Sequence, residues 1–471
     1  MHAVRLIAVF VVALMSWPAV AETISISNVT IIDVETGLER HHQNVFIRGG
    51  RIAKIGPAEK LTPPRGTTIV DGAGKYLIPG LWDMHVHSHR EERWKYHYPL
   101  FRAYGVTGVR DSGSHLGSAL AAMKRAQDYP LAPRVVWGSP IIDGAPPFNS
   151  FGLSAEDEDA ARELTRELKR LGFDFIKVYD RLTPGAYYGL ADEARRQGMR
   201  VEGHVPLSLS PLETTKAGQT TIDHLTLVLE ACLPAALDIA HAEFAAAPAE
   251  VDSLALLMDD RMAAVLGQYD VGSCGALFDM FAANGVWQVP TLVEMRGFFY
   301  AKDIGTANDT RAVLTTPTLL AEWREWGETS DPHELANGQK VLAAQMRMIP
   351  AMRDHGVGIL VGTDASSEPW VFAGAGVHDE MGLLVEAGLS PLESLQAATI
   401  NPLRYLGRKS DAPVISNGEV ADLVLLEADP RLDIANTLRI AGVVTRGRYY
   451  DRTALDALVG AAEREAKTGK R

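Results

Sequence analysis

The sequence predicts an α/β fold: a (β/α)8 TIM barrel with a small β-sandwich domain built from both chain ends. Three observations support this prediction. Eight short apolar strands alternate with helical patterns through the middle of the chain. Runs of β-favouring residues lie near the N-terminus and return near the C-terminus. The chain of 471 residues has room for one large domain and one smaller domain.

The first 21 residues predict a secretory signal peptide. Arg5 precedes a short apolar run, and Ala19 and Ala21 form a small-x-small cleavage site. The run is too short for a membrane span. After it we expect a first β-sandwich part, the barrel, a second β-sandwich part and a helical tail with a solvated surface. These regions are assigned to residues 22–78, 79–408, 409–451 and 452–471.

Charge and cysteine content narrow the partners and the compartment. The formal net charge of −13 argues against nucleic acid or an anionic membrane as a partner. No second long apolar run follows the signal peptide, so we expect no membrane insertion after cleavage and a periplasmic or secreted protein. An oxidising compartment would permit a disulfide between Cys232 and Cys274. Their spacing matches no metal motif, and the sequence alone leaves their pairing open. It also leaves open whether the protein forms a homo-oligomer.

The barrel prediction rests on eight apolar segments of strand length. They cover residues 81–85, 106–110, 134–137, 175–178, 200–204, 220–224, 287–292 and 357–361. Helical periodicity lies between them, for example over 156–171 and 184–197. The intervals 225–286 and 293–355 are longer than one repeat needs. Because they follow strands six and seven on the active-site face, we expect them, with loop 139–152, to select the substrate.

Metal-competent side chains lie at the ends of five of these eight strands. His85 and His87 are two residues apart at the end of strand one, so both point to the same side. Strand four carries Lys177, and the remaining candidates end strands five, six and eight: His204, His224 and Asp364. One such residue on each of five strand ends predicts a metal site at the barrel mouth.

Closure of the barrel sorts these candidates into two groups. Strand eight becomes the neighbour of strand one, which brings Asp364 beside His85 and His87, while His204 and His224 form a second group. We therefore predict two divalent metal ions, with zinc favoured by histidine and carboxylate ligands. An ammonium at Lys177 would be repelled by two such cations. Lys177 fits there as a neutral amine or as a carbamate that bridges both metals.

The predicted chemistry is attack of hydroxide on an amide-like or ester-like carbon. Two metals lower the pKa of a shared water from 15.7 towards roughly 7. Asp364 is placed to take the water's proton and to pass it to a leaving amine. Tyr179, two residues past Lys177, either donates to a substrate carbonyl or oxyanion or bonds the backbone at the rim. His378, after strand eight, either reaches substrate or only begins a helix. We expect His89 and His97 on the surface, and Arg110 paired with the adjacent Asp111.

Together these motifs resemble the amidohydrolase superfamily and, within it, the imidazolonepropionase-like group. The resemblance covers nearly the whole mature chain and rests on PGLWDMHVH (79–87), GVTGVRD (105–111), IK (176–177), GH (203–204), DH (223–224), GTD (362–364), EAGLSPLE (386–393), AATINP (397–402) and ADLV (421–424). It implies a metal-dependent hydrolase with a carboxylated lysine, the metal ligands assigned above and a composite β domain beside the barrel.

Departures from the group's patterns narrow the expected substrate. Members resembling dipeptidases and prolidases carry a further histidine after strand three and a tyrosine after strand five. This chain has SPIID at 139–143 and VPLS at 205–208. Members resembling deaminases carry a glutamate after the strand-five histidine and lack the strand-four lysine. We therefore expect cleavage of a carbon–nitrogen amide-type bond in a small molecule. The alternatives are an Xaa-Pro or other dipeptidase, a cyclic amide or lactone hydrolase and, more remotely, a non-catalytic binding protein.

Overall fold

The computed structural model describes residues 23–246, 252–306, 309–365, 368–407 and 414–469. The predicted signal peptide lies outside these residues. So does segment 408–413, where we set the boundary between the barrel and the second β part. Among the helices within the described ranges, none is long and apolar enough to cross a membrane.

Both chain ends contribute strands to one β domain. The strands are β1 (Thr23–Ile32), β2 (Glu39–Arg48), β3 (Arg51–Pro57), β4 (Thr68–Asp71) and β5 (Tyr76–Pro79) from the N-terminal side, and β15 (Leu423–Leu426), β16 (Ile440–Thr445) and β17 (Arg448–Asp451) from the C-terminal side. They form one curled eight-stranded sheet in the order β17-β16-β15-β5-β1-β2-β3, with β4 also paired to β1. The antiparallel pairing of β5 with β15 joins the two ends. This confirms the predicted composite β domain.

Apolar alternation explains why the β domain holds together. Ile24 and Ile26 on β1 are buried in the same cluster as Val45 on β2 and as Leu423 and Val444 from the C-terminal strands. Successive side chains of a strand point to opposite faces, so this cluster collects one face of each strand. The N-terminal strands thus complete their core only with the C-terminal strands.

Parallel strands in the middle of the chain form the barrel. Regular strands are β6 (Leu81–Val86), β7 (Val106–Asp111), β8 (Arg134–Trp137), β9 (Ile142–Asp143), β10 (Leu153–Ser154), β11 (Phe175–Val178), β12 (Arg200–Gly203), β13 (Gln219–Asp223) and β14 (Trp287–Val289). They lie in two sheets, β6-β7-β8 and β10-β9-β11-β12-β13-β14. The bridge between Gly138 and Phe175 joins the two sheets on one side.

The eighth barrel segment closes the ring without forming a regular strand. Ile359 makes a parallel bridge to Gln288 of β14, and Ala365 makes one to Val86 of β6. The backbone N–H of Met84 also donates to the carbonyl of Val361 over 2.8 Å. The predicted barrel is therefore confirmed, with residues 357–365 in the place of strand eight.

Helices cover the barrel and fill the two long intervals. The α-helices are α1 (Trp94–Ala103), α2 (Leu116–Asp128), α3 (Glu158–Leu171), α4 (Pro184–Gln197), α5 (Pro211–Ala217), α6 (Val228–Ala231), α7 (Pro234–Ala246), α8 (Ser253–Met258), α9 (Asp260–Leu266), α10 (Gly275–Asn284), α11 (Leu292–Phe299), α12 (Ala301–Thr306), α13 (Pro317–Thr329), α14 (Pro332–Asp354), α15 (Ala375–Glu386), α16 (Pro391–Ala397), α17 (Ile400–Tyr405) and α18 (Arg452–Thr468). Short 3-10 turns cover Arg90–Glu92, Val271–Cys274, Thr310–Leu314 and Ile434–Leu438. Helix α4 shows the local logic, since Thr183 caps its N-terminus, Pro184 begins it and Gly198 ends it in a left-handed conformation.

The C-terminal tail is helical but less solvated than its charge suggested. Leu455, Ala462 and Ala466 of α18 are buried, and the helix packs against α1 beside the barrel. These three positions recur at helical spacing, so they form one apolar face. The prediction of a wholly surface helix was therefore wrong for this face.

Cys232 and Cys274 form a disulfide, a pairing that the sequence left open. It ties the end of α6 to the start of α10 across 42 residues. In the chain-entropy model, closing a loop of that size stabilises the fold by about 4 kcal/mol. The bridge links two points of the long interval that follows strand six.

Candidate metal centre

A cavity of about 400 Å³ opens at the C-terminal ends of the barrel strands. All six predicted metal ligands line it, and we call them the inner wall: His85, His87, Lys177, His204, His224 and Asp364. All six side chains are buried, with none more than 8% exposed. The structure therefore brings together every residue that the strand-end pattern singled out.

The backbone is strained where it turns side chains into this cavity. His224, Thr291 and Asp364 have φ of 58°, 47° and 59°, a region that residues with a side chain rarely adopt. They lie at or just beyond the ends of barrel segments six, seven and eight, respectively. Such strain costs about 1–3 kcal/mol per residue and clusters at functional sites.

Gly203 is required by the close approach of strands four and five. Its φ is +129°, and a Cβ atom there would lie 2.4 Å from the carbonyl oxygen of Val178 and 3.0 Å from Cδ of Lys177. A side chain at this position would displace the lysine stem. The residue before His204 thus keeps the path of Lys177 open.

The first group of ligand candidates is compact. Nε2 of His87 lies 3.0 Å and Nε2 of His85 lies 3.5 Å from Oδ1 of Asp364. The three residues offer ligand atoms that all lie within 4.8 Å of one another. This is the grouping that barrel closure predicted for strands one and eight.

The second group differs from the prediction in one member. His204 and His224 are adjacent as expected, with ring centroids 4.8 Å apart. The three-residue cluster on this side, however, consists of His224, Glu294 and Asp364. Glu294 lies on α11, directly after strand seven, in an interval that we expected to select the substrate and not to bind metal. Its position just beyond a barrel strand end was the signal that could have identified it.

Hydrogen bonds at Nδ1 orient three of the histidines. His87 donates to the carbonyl of Gly113 over 2.6 Å, and Nδ1 of His204 lies 2.7 Å from Oδ1 of Asp180. Nδ1 of His224 lies 2.6 Å from Oε2 of Glu294. With Nδ1 engaged, each ring directs Nε2 into the cavity. Such partners fix both the tautomer and the ring orientation of metal-binding histidines.

Lys177 makes a close ion pair at the base of the cavity. Its Nζ lies 2.6 Å from Oδ2 of Asp223, which is also 3.2 Å from Nδ1 of His85. Arg110 holds the other carboxylate oxygen of Asp223 over 2.7 Å. Burial alone would raise the pKa of Asp223, but Arg110 and Lys177 hold it well below its usual range.

Electrostatics leave one side of the cavity ready to accept a cation. Burial and the nearby charge of Lys177 lower the pKa of His85 and of His204. Burial opposes ionisation of Asp364, yet the histidines around it hold its pKa well below the ordinary value. Burial would lower the pKa of His224, but Glu294 raises it to about 9.

The donor set fits divalent metal ions. Both ring nitrogens of His85 and Oδ1 of Asp364 are buried and make no hydrogen bond of good geometry within the described part of the chain, although each lies within ion-pair distance of a neighbouring side chain. Buried polar atoms normally make hydrogen bonds, so these atoms have capacity for a further ligand. Imidazole nitrogens and carboxylate oxygens are ligands of zinc and of similar divalent metals.

Comparison with known proteins identifies the family. The model of the amidohydrolase family matches residues 76–449, from the last strand before the barrel to the last strand of the β domain. The chain belongs to the amidohydrolase family. Members of this family are metal-dependent, which agrees with the ligand clusters at the barrel mouth.

Two curated relatives give the range of proteins that this amidohydrolase resembles. An adenine deaminase of Rubrobacter xylanophilus is 22% identical over 434 residues, which cover 90% of this chain and 57% of the deaminase. The chain thus spans little more than half the length of that relative. An imidazolonepropionase of Chloroflexus aggregans is 25% identical over 402 residues, 82% of this chain and 84% of that enzyme. This relative supports the predicted resemblance to the imidazolonepropionase-like group.

Solved structures show the same fold. A bottromycin amidohydrolase matches with a TM-score of 0.73 and 24% identity, over 94% of this chain and 90% of that chain. A putative prolidase from Bifidobacterium longum matches with a TM-score of 0.66 and 21% identity, over 94% and 99% of the two chains. Both likenesses support the barrel with its β domain.

The two predicted substrate-binding residues lie in different places in this amidohydrolase fold. Tyr179 lines the cavity, with its ring centroid 4.0 Å from that of His204. Burial and Asp180 raise the pKa of Tyr179 well above its usual value, so its hydroxyl stays a donor. His378 is absent from the cavity wall. Its ring nitrogens lie 2.9 Å from Oγ1 of Thr437 and from the carbonyl of Tyr104, so the substrate-binding prediction was wrong for this residue.

Two histidines and one arginine near the first two barrel strands also differ from expectation. His89 and His97, predicted at the surface, are both buried. His89 lies 2.7 Å from Asp111, which occupies the carboxylate that we had assigned to Arg110. Arg110 points instead into the barrel, where it pairs with Glu202 over 2.6 Å and with Asp223. Its structural role was predicted, but its partners were not.

The rest of the cavity surface comes from the three regions expected to select the substrate. We call it the outer wall, and it comprises cavity-lining residues of loop 139–152 and of intervals 225–286 and 293–355. These residues are Ile141, Phe148, Asn149, Leu225, Thr226, Leu227, Glu230, Asp252, Ser253, Leu254, Ala255, Leu257, Met258, Glu294, Met295, Phe298, Trp326 and Gln345. Arg90 and Glu368 also line the cavity, after strands one and eight. Sequence reasoning singled out none of these side chains.

Proposed function

We propose that the chain is a metal-dependent hydrolase that cleaves a carbon–nitrogen amide-type bond in a small molecule. The observation that carries the proposal is the inner wall itself, in which six ligand-competent side chains from five strand ends face one cavity. The ring nitrogens of His85 and Oδ1 of Asp364, which make no hydrogen bond of good geometry within the described residues, add to it.

The inner wall would hold two divalent metal ions, and zinc is the metal we propose. His85, His87 and Asp364 would hold one ion, and His204 and His224 the other, with Glu294 orienting His224. When bound, such ions supply activated water and polarise a substrate carbonyl. Lys177 lines the same cavity as both histidine groups. If carboxylated, it would offer an anionic ligand with two oxygen atoms to the ions.

Asp364 is the residue we propose for proton transfer. Its carboxylate is ionised at neutral pH and faces His85 and His87 on one side and His224 on the other. It would accept the proton of the attacking water and return it to the leaving amine. Tyr179, whose hydroxyl stays protonated, would donate to the substrate carbonyl as negative charge develops on its oxygen.

Dipeptide cleavage is the second candidate, and Arg90 favours it. Arg90 lines the cavity four residues before Trp94 begins α1, and a guanidinium there could pair with a substrate carboxylate. The putative prolidase from Bifidobacterium longum is also among the structural neighbours. The histidine after strand three and the tyrosine after strand five that mark such enzymes are absent from this sequence.

We further propose that the protein works in the periplasm or outside the cell. The signal-peptide pattern of residues 1–21 supports export. The disulfide between Cys232 and Cys274 supports it independently, because such bridges persist in oxidising compartments. Cell fractionation of the tagged protein tests this, and recovery in the cytoplasm with the uncleaved N-terminus would contradict it.

Hydrolysis assays on the metal-loaded protein test the proposed reaction. The panel would contain acyclic amides, dipeptides, cyclic amides, lactones and adenine, each assayed before and after removal of metal by a chelator. We expect amide cleavage that disappears with the metal and returns when zinc is added. Hydrolysis of lactones or esters without any amide cleavage would overturn the amide proposal, and deamination of adenine would redirect it.

A further inference from the structure

Glu230 is a buried carboxylate on the outer wall, and no other side chain among the described residues pairs with it. It lies in the short helix α6, six residues past His224, and is only 2% exposed. It lines the same cavity as the inner wall. Within the part of the chain that the structure describes, its carboxylate accepts a hydrogen bond from its own backbone N–H and faces no cation.

The other carboxylates of the outer wall have structural explanations. Asp252 accepts the backbone N–H of Ala255 over 2.8 Å and so caps α8. Glu294 orients His224. A buried carboxylate without such a role is expensive, and burial accordingly raises the pKa of Glu230 to about 7. Glu230 therefore differs from its neighbours in having a strong acceptor available to a ligand.

The segment that carries Glu230 is held rigidly in place. Leu225 and Leu227 both have positive φ, of 53° and 57°, which bends the chain sharply after strand six. Two residues beyond Glu230, the disulfide to Cys274 anchors the other end of α6. A segment held in this way presents its carboxylate in a fixed position, as a preorganised binding site requires.

Apolar and aromatic side chains complete the outer wall. Leu227, Leu257 and Met258 line the cavity from the same long interval as Glu230. Phe298 and Trp326 line it from the next interval, with ring centroids 5.3 Å apart. This surface suits a substrate with an apolar chain (an apolar shaft), and aromatic faces also favour a positively charged group at the end of that chain.

We propose that Glu230 binds a cationic group of the substrate, either an ammonium or a guanidinium carried on an apolar shaft. The inference rests on the proposed function only in that substrate occupies this cavity. A cation supplies the charge and the hydrogen-bond donors that the buried carboxylate lacks. The substrate class is thereby narrowed to positively charged amides.

Binding measurements on the metal-loaded enzyme test this proposal without relying on turnover. The probes are n-butylguanidinium and the uncharged pentan-1-ol, titrated by calorimetry. We expect the wild type to bind n-butylguanidinium at least tenfold more tightly. Glu230→Gln should weaken binding of the cation by about ten- to a hundredfold, the effect of losing a charge-assisted hydrogen bond. Its affinity for pentan-1-ol should not change.

Two matched variants locate the site. Glu163→Gln replaces an exposed carboxylate on α3 and should leave both affinities unchanged. Glu368→Gln replaces another cavity carboxylate that neither metal cluster uses, and it should retain most of the preference for the cation. A loss in Glu368→Gln with none in Glu230→Gln would overturn the assignment.

The affinities of the wild type for the two probes test the cation site even if Glu230→Gln does not fold. Equal affinity of the wild type for the two probes would overturn the proposal. The results also test the cation site and the proposed reaction separately. Cation binding that depends on Glu230, without any amide hydrolysis, would contradict the proposed reaction and support the cation site. Amide hydrolysis without such cation binding would support the reaction and contradict the cation site.

Discussion

The inner wall and the outer wall of the cavity are built by different parts of the fold. Each inner-wall residue lies on a barrel strand or directly after one, so the parallel ladder fixes its position. Outer-wall residues come from helices and loops that have no counterpart in a minimal strand–helix repeat. We therefore infer that barrel residues carry the chemistry and that the additional helices and loops select the substrate.

The two walls also differ in how their polar atoms are satisfied. The inner wall presents several nitrogen and oxygen atoms that converge within metal-binding distance. The outer wall is largely apolar and holds one isolated carboxylate, Glu230. We infer that metal ions satisfy the polar atoms of the inner wall, whereas a substrate group satisfies the carboxylate of the outer wall.

The largest effect is expected from Asp364→Asn on the inner wall. It should lower kcat/KM for the amide by about ten thousandfold, because one residue would both transfer the proton and hold metal. Steady-state kinetics on metal-loaded protein measures this loss. The control is Asp238→Asn on the exposed side of α7, which should keep full activity. A variant with near wild-type activity would mean that another base serves the reaction.

Arg110→Met tests whether the inner wall depends on the ion pairs beneath it. Arg110 is fully buried and pairs with Glu202 and Asp223, so its loss leaves buried negative charge behind. The free energy of unfolding should fall by about 3–5 kcal/mol in urea denaturation. Arg195→Met, at the exposed pair with Asp192, is the control and should change little. Equal effects of the two substitutions would contradict the account.

Glu230→Gln tests the outer wall through the pH dependence of the free energy of unfolding. The pKa of Glu230 is raised from 4.5 to about 7 in the fold, so the folded state binds its proton more tightly than the unfolded state. This contribution to stability is complete below pH 4.5 and is lost as pH rises to 7.

The measurement for Glu230 is a pair of unfolding curves at pH 5 and pH 8 for wild type and variant. The neutral glutamine has no such loss. From pH 5 to pH 8 the free energy of unfolding of the wild type should therefore fall by up to about 3 kcal/mol more than that of the variant. A parallel pH dependence in both proteins would show that Glu230 is ionised and already paired. That result would also weaken the proposed cation site.

Tyr179→Phe should give the smallest effect of the four. Loss of one hydroxyl donor to the developing oxyanion lowers kcat by about a hundredfold with little change in KM. Tyr188→Phe, whose ring is exposed on α4, serves as the control. An increase in KM with kcat unchanged would assign Tyr179 to substrate binding alone.

The sequence was informative wherever function follows the strand ends. The period-two spacing of His85 and His87 and the strand-end positions of His204, His224 and Asp364 depend on local pattern and on barrel closure. Both can be inferred without knowing how helices pack. Fold class and the neighbouring positions of these residues were therefore predictable, while their role as metal ligands stays a prediction.

The errors arose where tertiary packing decides. His378 lies in the first turn of α15, and only the fold shows that its ring nitrogens are engaged by Thr437 and Tyr104. Glu294 was missed because its interval has ordinary helical periodicity. The pairing of Cys232 with Cys274 depends on how α6 and α10 lie, which no spacing rule gives.

The central claim is that the inner wall holds two metal ions bridged through Lys177. Elemental analysis of metal per chain tests it most directly, on protein prepared with zinc and bicarbonate. We expect two ions in the wild type, one or none in Lys177→Ala, and two in Lys169→Ala, which removes an exposed lysine of α3. One ion in both the wild type and Lys177→Ala would contradict the bridge, and none in any variant would contradict the metal centre.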